Sequence, residues 1–258
     1  MNKYPPKILI IGGHDPTGGA GIQADIETLT NLNCHAVCLI SCLTSQSTSK
    51  FKKSYPINPQ IFREQSELLL SDVEINAVKI GAIGSIEIAN EIIRILKKLK
   101  KKQKVIIDPI IRPSMGGTLA DQKLIKKIKE EIFPFSYLIT PNLEEAYILN
   151  DKISKEELII KPNLIAENIL LKDCVPLSNK IINKLYTSKK LKKEWVLNRV
   201  DGNYHGTGCT LASAITGLLA KKKSLEQSIE DAQSFTHESI KNAFSLGKGQ
   251  KILKRLLI

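Results

Sequence analysis

Short apolar runs alternate along the chain with longer stretches of helical periodicity. Apolar runs at residues 8–11 and 36–42 predict buried strands, and the segment 20–32 between them predicts a helix. Further helical patterns lie at 59–70, 86–99 and 123–132, and further strand-like runs at 73–80, 105–107 and 137–139. Strands that are apolar on both faces and separated by helices are typical of an α/β protein, in which helices cover both sides of a parallel sheet.

The pattern differs in the part of the chain that follows. Short apolar runs succeed one another without an intervening helix, at residues 169–171, 181–186 and 195–197. This arrangement predicts an antiparallel edge to the sheet. Helical periodicity returns at 210–220 and 225–244. Because no repeat, linker or shift in composition divides the chain, we expect a single domain over residues 1–258.

Composition and charge narrow the class of protein without identifying it. The chain is 42% hydrophobic and 25% charged, which is typical of a globular protein. Its longest apolar runs are too short for a bilayer span, and the run at 8–11 is too short for a signal peptide, so we expect a cytoplasmic protein with no membrane partner. The net charge of +12 is concentrated in lysine-rich segments at 97–102 and 189–193. These segments contain no interleaved aromatic residues, so we interpret them as solvated helix ends and loop tips and expect no nucleic-acid partner.

The segment Gly12–Gly21 contains five glycines in ten residues and follows the first predicted strand. Glycine lets the backbone approach a ligand closely. The segment includes a formal match to the dinucleotide-binding pattern G-x-G-x-x-A, but these glycines lie too far beyond the strand, and no acidic residue closes the second strand. We therefore interpret it as a loop beside another kind of ligand. The alternative is a loop that needs glycine only for its turns.

A second glycine-rich segment, His205–Cys209, leads directly into an apolar helix. Consecutive small residues at a helix N-terminus leave backbone N–H groups available to an anion. We expect Gly206, Thr207 and Gly208 to hold a transferring phosphoryl group. Cys209 would have a lowered thiol pKa there and would accept the proton of an attacking hydroxyl. The alternative is a glycine-rich N-cap with a buried, inert cysteine.

Asn142 and Glu145 follow the strand-like run at 137–139 and share one face of the next helix. An amide and a carboxylate beside a phosphate site suit Mg²⁺ held largely through water. Taken alone, the pair is explained better by an N-cap with a capping-box glutamate.

Six motifs in one order carry a family resemblance. They are Gly-Gly-His-Asp-Pro-Thr-Gly-Gly-Ala-Gly-Ile-Gln-Ala-Asp (12–25), Leu-Thr-Ser-Gln-Ser-Thr (43–48), Val-Lys-Ile-Gly-Ala-Ile-Gly-Ser (78–85), Ile-Ile-Asp-Pro-Ile-Ile (106–111), Ile-Thr-Pro-Asn-Leu-Glu-Glu-Ala (139–146) and His-Gly-Thr-Gly-Cys-Thr-Leu (205–211). Over nearly its whole length the chain resembles the hydroxymethylpyrimidine/phosphomethylpyrimidine kinases of thiamine biosynthesis, in the ribokinase-like superfamily. The resemblance implies a three-layer α/β/α sandwich with a mostly parallel sheet, often assembled as a homodimer.

The resemblance also implies an activity and a set of site residues. The activity is phosphoryl transfer from ATP-Mg²⁺ to 4-amino-5-hydroxymethyl-2-methylpyrimidine and then to its monophosphate. The implied roles follow from position in the motifs: Gln46 hydrogen-bonds the pyrimidine, Asp25, Gly19 and Gly21 border the substrate, Lys172 and Asn142 contact ATP, Glu145 and Asn142 hold Mg²⁺, Gly206, Thr207 and Gly208 form the anion hole, and Cys209 is the base.

Two alternatives remain open. Pyridoxal and pyridoxine kinases share the Gly-Thr-Gly-Cys segment and act on a nitrogen heterocycle with a hydroxymethyl arm. The second alternative is a non-catalytic pyrimidine-binding subunit, because Asp173-Cys174-Val175 follows Lys172 where the family has Gly-Gly-His. An acidic residue beside the phosphate-binding lysine would oppose ATP binding. Sugar kinases of the superfamily usually carry aspartate where this chain has Cys209.

Overall fold

The computed structural model describes residues 4–100, 103–112, 116–150, 154–160, 162, 164, 166–175 and 178–256. Within these ranges a sheet of nine strands forms the centre. The strands are β1 (Lys7–His14), β2 (His35–Gln46), β3 (Phe51–Pro56), β4 (Ala77–Ile80), β5 (Lys104–Ile107), β6 (Leu138–Ile139), β7 (Asn168–Leu171), β8 (Lys180–Thr187) and β9 (Lys190–Asn198). Their spatial order is β3-β2-β1-β4-β5-β6-β7-β8-β9.

Helices connect most of these strands. They are α1 (Gly21–Asn31), α2 (Pro59–Asp72), α3 (Ile86–Lys98), α4 (Gln122–Lys127), α5 (Leu143–Leu149), α6 (Lys155–Ile160), α7 (Thr207–Ala220) and α8 (Leu225–Lys241). Several begin at a residue whose side chain accepts a backbone N–H of the first turn, as Ser85 does from Ile88 and Asp121 from Leu124. The helix predicted over 123–132 continues from α4 as a π-helical turn at Ile128–Ile132.

The sheet is parallel at its centre and antiparallel at both edges. The pairs β2–β3, β7–β8 and β8–β9 are antiparallel, and the remaining neighbours are parallel. The antiparallel edge predicted after residue 168 is thus confirmed. The β2–β3 hairpin was not predicted, because β3 is mostly polar and exposed and gives no apolar run.

Helices cover both faces of the sheet, which confirms the three-layer sandwich. Along β1, Leu9 and Ile11 belong to the core beneath α2 and α3, whereas Ile8 and Ile10 belong to the core beneath α1. Helix α7 lies on the second face, packs against α1, α8, β1, β4 and β5, and is buried along nearly its whole length. Its N-terminus is therefore fixed at the carboxyl ends of the central strands.

The surface features agree with the interpretation of the charge. Lys97, Lys98 and Lys100 are exposed at the end of α3, and Lys189 and Lys190 are exposed at the tip between β8 and β9. Residues 101 and 102 of the first lysine-rich segment lie outside the described residues. Among the helices that the structure describes, none combines the length and the apolar character needed to cross a bilayer.

Candidate active site

A cavity of about 580 Å³ opens at the carboxyl ends of the parallel strands. Most residues singled out in the sequence line it: Gly21, Gln46, Asn142, Glu145, Lys172, Gly206, Thr207, Gly208 and Cys209. Asp25 and Gly19 do not. The fold therefore brings together residues that are dispersed along the chain, and it places two of the predicted substrate neighbours behind the cavity wall.

Gly206 is where the two glycine-rich segments pack against each other, because it lies close to Gly19. It is the N-cap of α7 and has a φ of 81°, a left-handed conformation that glycine adopts without strain. A Cβ atom at this position would collide with the carbonyl oxygen of Gly19. Gly19 thus serves to pack its loop against the start of α7. The first N–H groups of α7 have no partner within the helix, so they are available at the cavity.

Asp15 joins the first glycine-rich loop to the segment before α7. Its buried carboxylate accepts hydrogen bonds from the backbone N–H groups of Thr17 and Ala20, both at 2.9 Å. It also lies 2.9 Å from Nε2 of His205. Burial alone would raise the pKa of Asp15, but the hydrogen bonds from His205 and Thr17 lower it below its usual value. The carboxylate is therefore ionised and holds the loop in place.

Arg255 reinforces the same junction from far along the chain. Its side chain is fully buried and donates to Oγ1 of Thr210 at 2.8 Å and to the carbonyl oxygens of Gly18 and Gly19. Its charge is paired with Glu27 at 3.1 Å. Sequence reasoning missed this residue, because nothing local in the sequence marks Arg255 as buried.

A buried ion pair lies behind Cys209. Nζ of Lys79 contacts both carboxylate oxygens of Asp25 at 2.9 Å, and Ser213 donates to the same carboxylate at 2.7 Å. Burial alone would lower the pKa of Lys79, but the neighbouring Asp25, Cys209 and Asp108 raise it, so Lys79 stays cationic. Asp25 is thus the counter-ion of Lys79 rather than part of the cavity lining. A lysine inside an otherwise apolar four-residue strand was the signal available in the sequence.

Cys209 lies in the first turn of α7 and lines the cavity, with 5% of its surface exposed. Burial raises the pKa of its thiol to about 11, although Lys79 and the N–H of Gly21 act in the opposite direction. The lowered pKa expected from the helix N-terminus is therefore not found, because burial outweighs the helix dipole. The thiol is protonated at neutral pH.

Lys172 points its ammonium group into the cavity beside Asp108. The two charges lie 2.9 Å apart, and Thr140 donates to the same Asp108 oxygen at 3.0 Å. Burial alone would raise the pKa of Asp108, but Lys172 and Lys79 lower it, so the pair is ionic. A Cβ atom on Gly208 would lie 3.2 Å from Nζ of Lys172. The lysine and the start of α7 therefore face the same small volume.

Asn142 and Glu145 form the capping box that their spacing allowed. Oδ1 of Asn142 accepts from the N–H of Glu145, and Oε2 of Glu145 accepts from the N–H of Asn142, both at 2.8 Å. Burial raises the pKa of Glu145 to about 7, with Lys172 acting in the opposite direction. In the described ranges, no three or more His, Cys, Asp or Glu side chains are grouped to hold a metal ion.

Asp173, which departs from the family motif, is paired rather than free. Arg199 donates to its carboxylate at 2.7 Å and also to the carbonyl oxygen of Ser178 at 2.7 Å. Asp173 has a φ of 49°, a left-handed conformation. The negative charge of Asp173 is therefore paired with Arg199. This pairing weakens the argument that Asp173 opposes anion binding at Lys172.

The cavity extends in two directions from the start of α7. The β2–β3 end is lined by Thr44, Gln46 and Phe51. The β8–α8 end is lined by Ile181, Asn183, Leu197, Gln233, Thr236, His237 and Ile240. Sequence reasoning identified only Gln46 among these residues. The β8–α8 end is assembled from an edge hairpin and a helix far along the chain, and no motif marks it.

Known proteins resemble this chain in sequence and in fold. The pattern of the family described as phosphomethylpyrimidine kinase matches residues 15–254. A hydroxymethylpyrimidine/phosphomethylpyrimidine kinase of Aquifex aeolicus is 34% identical over 252 residues, which cover 95% of this chain and 98% of the relative. A thiamine biosynthesis bifunctional protein of Geobacter sulfurreducens is 32% identical over 97% of this chain, but the match covers only 52% of that protein. The ADP complex of Bacillus subtilis pyridoxal kinase superposes with a TM-score of 0.83 at 26% identity, over 97% of each chain.

Proposed function

The chain belongs to the phosphomethylpyrimidine kinase family, and from this premise we propose that it phosphorylates 4-amino-5-hydroxymethyl-2-methylpyrimidine and its monophosphate with ATP, in thiamine biosynthesis. One observation carries the proposal. The start of α7, with Gly206, Gly208 and Cys209, lines the same cavity as Lys172, and a Cβ atom on Gly208 would lie 3.2 Å from Nζ of that lysine. A phosphoryl donor and its acceptor must approach the moving group from opposite sides, so such a site needs an anion hole between two binding regions.

The acceptor ring fits the β2–β3 end. Gln46 lines this end, and its side-chain amide makes no hydrogen bond to another residue in the described ranges. An amide offers a donor and an acceptor side by side, which matches a ring nitrogen next to an amino group. Phe51 adds an aromatic surface nearby. Binding here directs the hydroxymethyl arm of the ring toward Cys209.

The phosphate groups of ATP fit between Lys172 and the start of α7. Lys172 supplies a positive charge that Asp108 holds in position, and the N–H groups of α7 supply hydrogen bonds to the equatorial oxygens. Catalysis then consists mainly of positioning and charge stabilisation. Cys209 accepts the proton of the hydroxyl, and the nearby cation Lys79 stabilises the thiolate that this role requires.

Glu145 is the proposed residue for Mg²⁺, together with Asn142. Carboxylate and amide oxygens are ligands that Mg²⁺ takes, commonly with phosphates and water completing the shell. One oxygen of Glu145 is used in the capping box, and the other makes no hydrogen bond to a described residue. The ion would neutralise phosphate charge. The proposal keeps the homodimer that the family resemblance implies and the cytoplasmic location expected from the short apolar runs of the sequence.

The decisive assay supplies purified protein with ATP, Mg²⁺ and either pyrimidine form. We expect ADP and the mono- or diphosphorylated pyrimidine, identified by mass spectrometry, and a loss of turnover in Lys172→Met. Lys184→Met is the control, because Lys184 pairs with Glu194 on the β8–β9 hairpin outside the cavity. Absence of turnover with both pyrimidine forms contradicts the proposal.

A second candidate is pyridoxal kinase activity, favoured by the close superposition on Bacillus subtilis pyridoxal kinase. The ratio of kcat/KM for hydroxymethylpyrimidine to kcat/KM for pyridoxal separates the two. We expect the pyrimidine to be preferred. A non-catalytic subunit is distinguished by calorimetry, because it would bind the pyrimidine without binding ATP.

A further inference from the structure

A chain of buried amides runs through the β8–α8 end of the cavity. The backbone N–H of Asp173 donates to Oδ1 of Asn183 at 2.9 Å. Nδ2 of Asn183 then donates to Oε1 of Gln233 at 2.6 Å. Asn183 and Gln233 are only 4% and 3% exposed. The chain therefore links the residue after Lys172 to helix α8 through groups that water does not reach freely.

The orientation of each amide in this chain is determined by the one before it. A backbone N–H can only donate, so the oxygen of Asn183 must face Asp173. The nitrogen of Asn183 must then face Gln233, which in turn presents its oxygen to Asn183. Nε2 of Gln233 is consequently the group left over. The oxygen and nitrogen of a side-chain amide can usually be interchanged in a structure, but here only one orientation satisfies the hydrogen bonds.

Among the described residues, Nε2 of Gln233 has no hydrogen-bond partner. The buried hydroxyl of Ser228 on the same helix shares this property, but Ser228 does not line the cavity. Buried donors without a partner destabilise a protein, and in native structures they commonly meet a ligand or an ordered water. Gln233 therefore combines an available donor, a fixed direction and a position on the cavity wall.

We propose that Gln233 is a specificity-determining residue, whose Nε2 donates a hydrogen bond to a ring nitrogen of the adenine base of ATP. The inference rests on the proposed function and deepens it. Leu197 and Ile240 line the same end of the cavity and provide apolar surface for a flat ring. Adenine ring nitrogens are acceptors without hydrogen, so they match a donor that has no other partner. Asn183 acts as a positioning residue, because it fixes which end of the Gln233 amide faces the ligand.

The test compares wild-type protein with Gln233→Met and Gln233→Glu. Methionine has nearly the same length and lacks the donor, whereas glutamate keeps an oxygen for Asn183 and replaces the donor by an acceptor. We expect both variants to bind a non-hydrolysable ATP analogue roughly tenfold more weakly by calorimetry. Ser228→Ala is the matched control, since it removes an unpaired buried polar atom from the same helix but outside the cavity.

Deaza analogues of ATP identify the hydrogen bond itself. We expect one of 1-deaza-, 3-deaza- and 7-deaza-ATP to bind the wild type about tenfold more weakly, and that analogue to cause no further loss in Gln233→Met. Thermal melting without nucleotide checks that the variants fold.

If the wild type binds the ATP analogue and both Gln233 variants bind it equally well, this inference alone is wrong, and Nε2 serves a bound water instead. Equal binding of ATP and all three deaza analogues by the wild type likewise overturns it. If the wild type binds no adenine nucleotide, the proposed function fails, and this inference fails with it.

Discussion

The pH dependence of turnover tests whether Cys209 accepts the proton of the attacking hydroxyl. The perturbation is a pair of substitutions, Cys209→Ala and Cys209→Asp, each compared with the wild type over a range of pH. Alanine removes the proton acceptor. Aspartate supplies the carboxylate that related sugar kinases usually carry at this position, with an ordinary pKa of about 3.9.

The magnitude follows from the burial of the thiol. With a pKa of about 11, only about one Cys209 side chain in ten thousand is a thiolate at pH 7. The base form increases as the pH rises, so kcat/KM should increase about tenfold per pH unit up to a pKa near 11. The variant Cys209→Asp should level off at a lower pH than the wild type, because a carboxyl group loses its proton more easily than a thiol. Burial beside Asp108 keeps the pKa of this carboxyl above its ordinary value.

The assay couples ADP release to an absorbance change between pH 6.5 and 9.5, with coupling enzymes in excess at each pH. We expect Cys209→Ala to lose a factor of about 10²–10⁴ in kcat and to lose the pH dependence. A wild-type profile that is flat from pH 7 to 9 would refute the reasoning. So would an alanine variant that keeps the wild-type slope, since another group would then be the base.

Three further substitutions probe the surroundings of the site. Gln46→Ala should weaken pyrimidine binding by about 1–3 kcal/mol in calorimetry, with ATP affinity unchanged. Lys79→Met should lower the free energy of unfolding by about 3–5 kcal/mol in urea, because burial already raises the pKa of Asp25 and, without its cation, this carboxyl must take up a proton on folding; adding Asp25→Asn should restore much of the loss. Arg255→Lys should reduce kcat more than it changes KM, because an ammonium group does not reproduce the guanidinium contacts with Thr210 and the glycine loop. ADP release measures this effect, and an unchanged kcat would contradict it.

The fold was predictable wherever burial leaves a continuous apolar run. The strands β1, β4, β5 and β7 are apolar on both faces, so the sequence marks them directly. The edge strand β3 escaped prediction because its exposed positions carry lysine and serine. The lengths of β2 and β9 were underestimated for the same reason, since both strands continue into polar residues.

The site was predictable where its chemistry is local in sequence. The start of α7 and the capping box of Asn142 and Glu145 depend on neighbours a few residues apart, so spacing indicates them. Contacts between distant segments were not accessible in this way. Asp15 pairs with His205, and Arg255 donates to the carbonyl oxygen of Gly18. Both contacts join segments that only the fold brings together. The thiol pKa was misjudged because the sequence reveals a helix N-terminus but not the depth at which it is buried.

The proposed phosphoryl-transfer site at the start of α7 and the two ends of the cavity differ in how tightly their residues are enclosed. Helix α7 is enclosed on nearly every side, so its first turn tolerates little alteration. The two ends of the cavity are built partly from edge strands, where substitutions disturb fewer neighbours. If the acceptor binds at the β2–β3 end as proposed, substitutions in this hairpin would change which ring is accepted and leave the first turn of α7 unaltered.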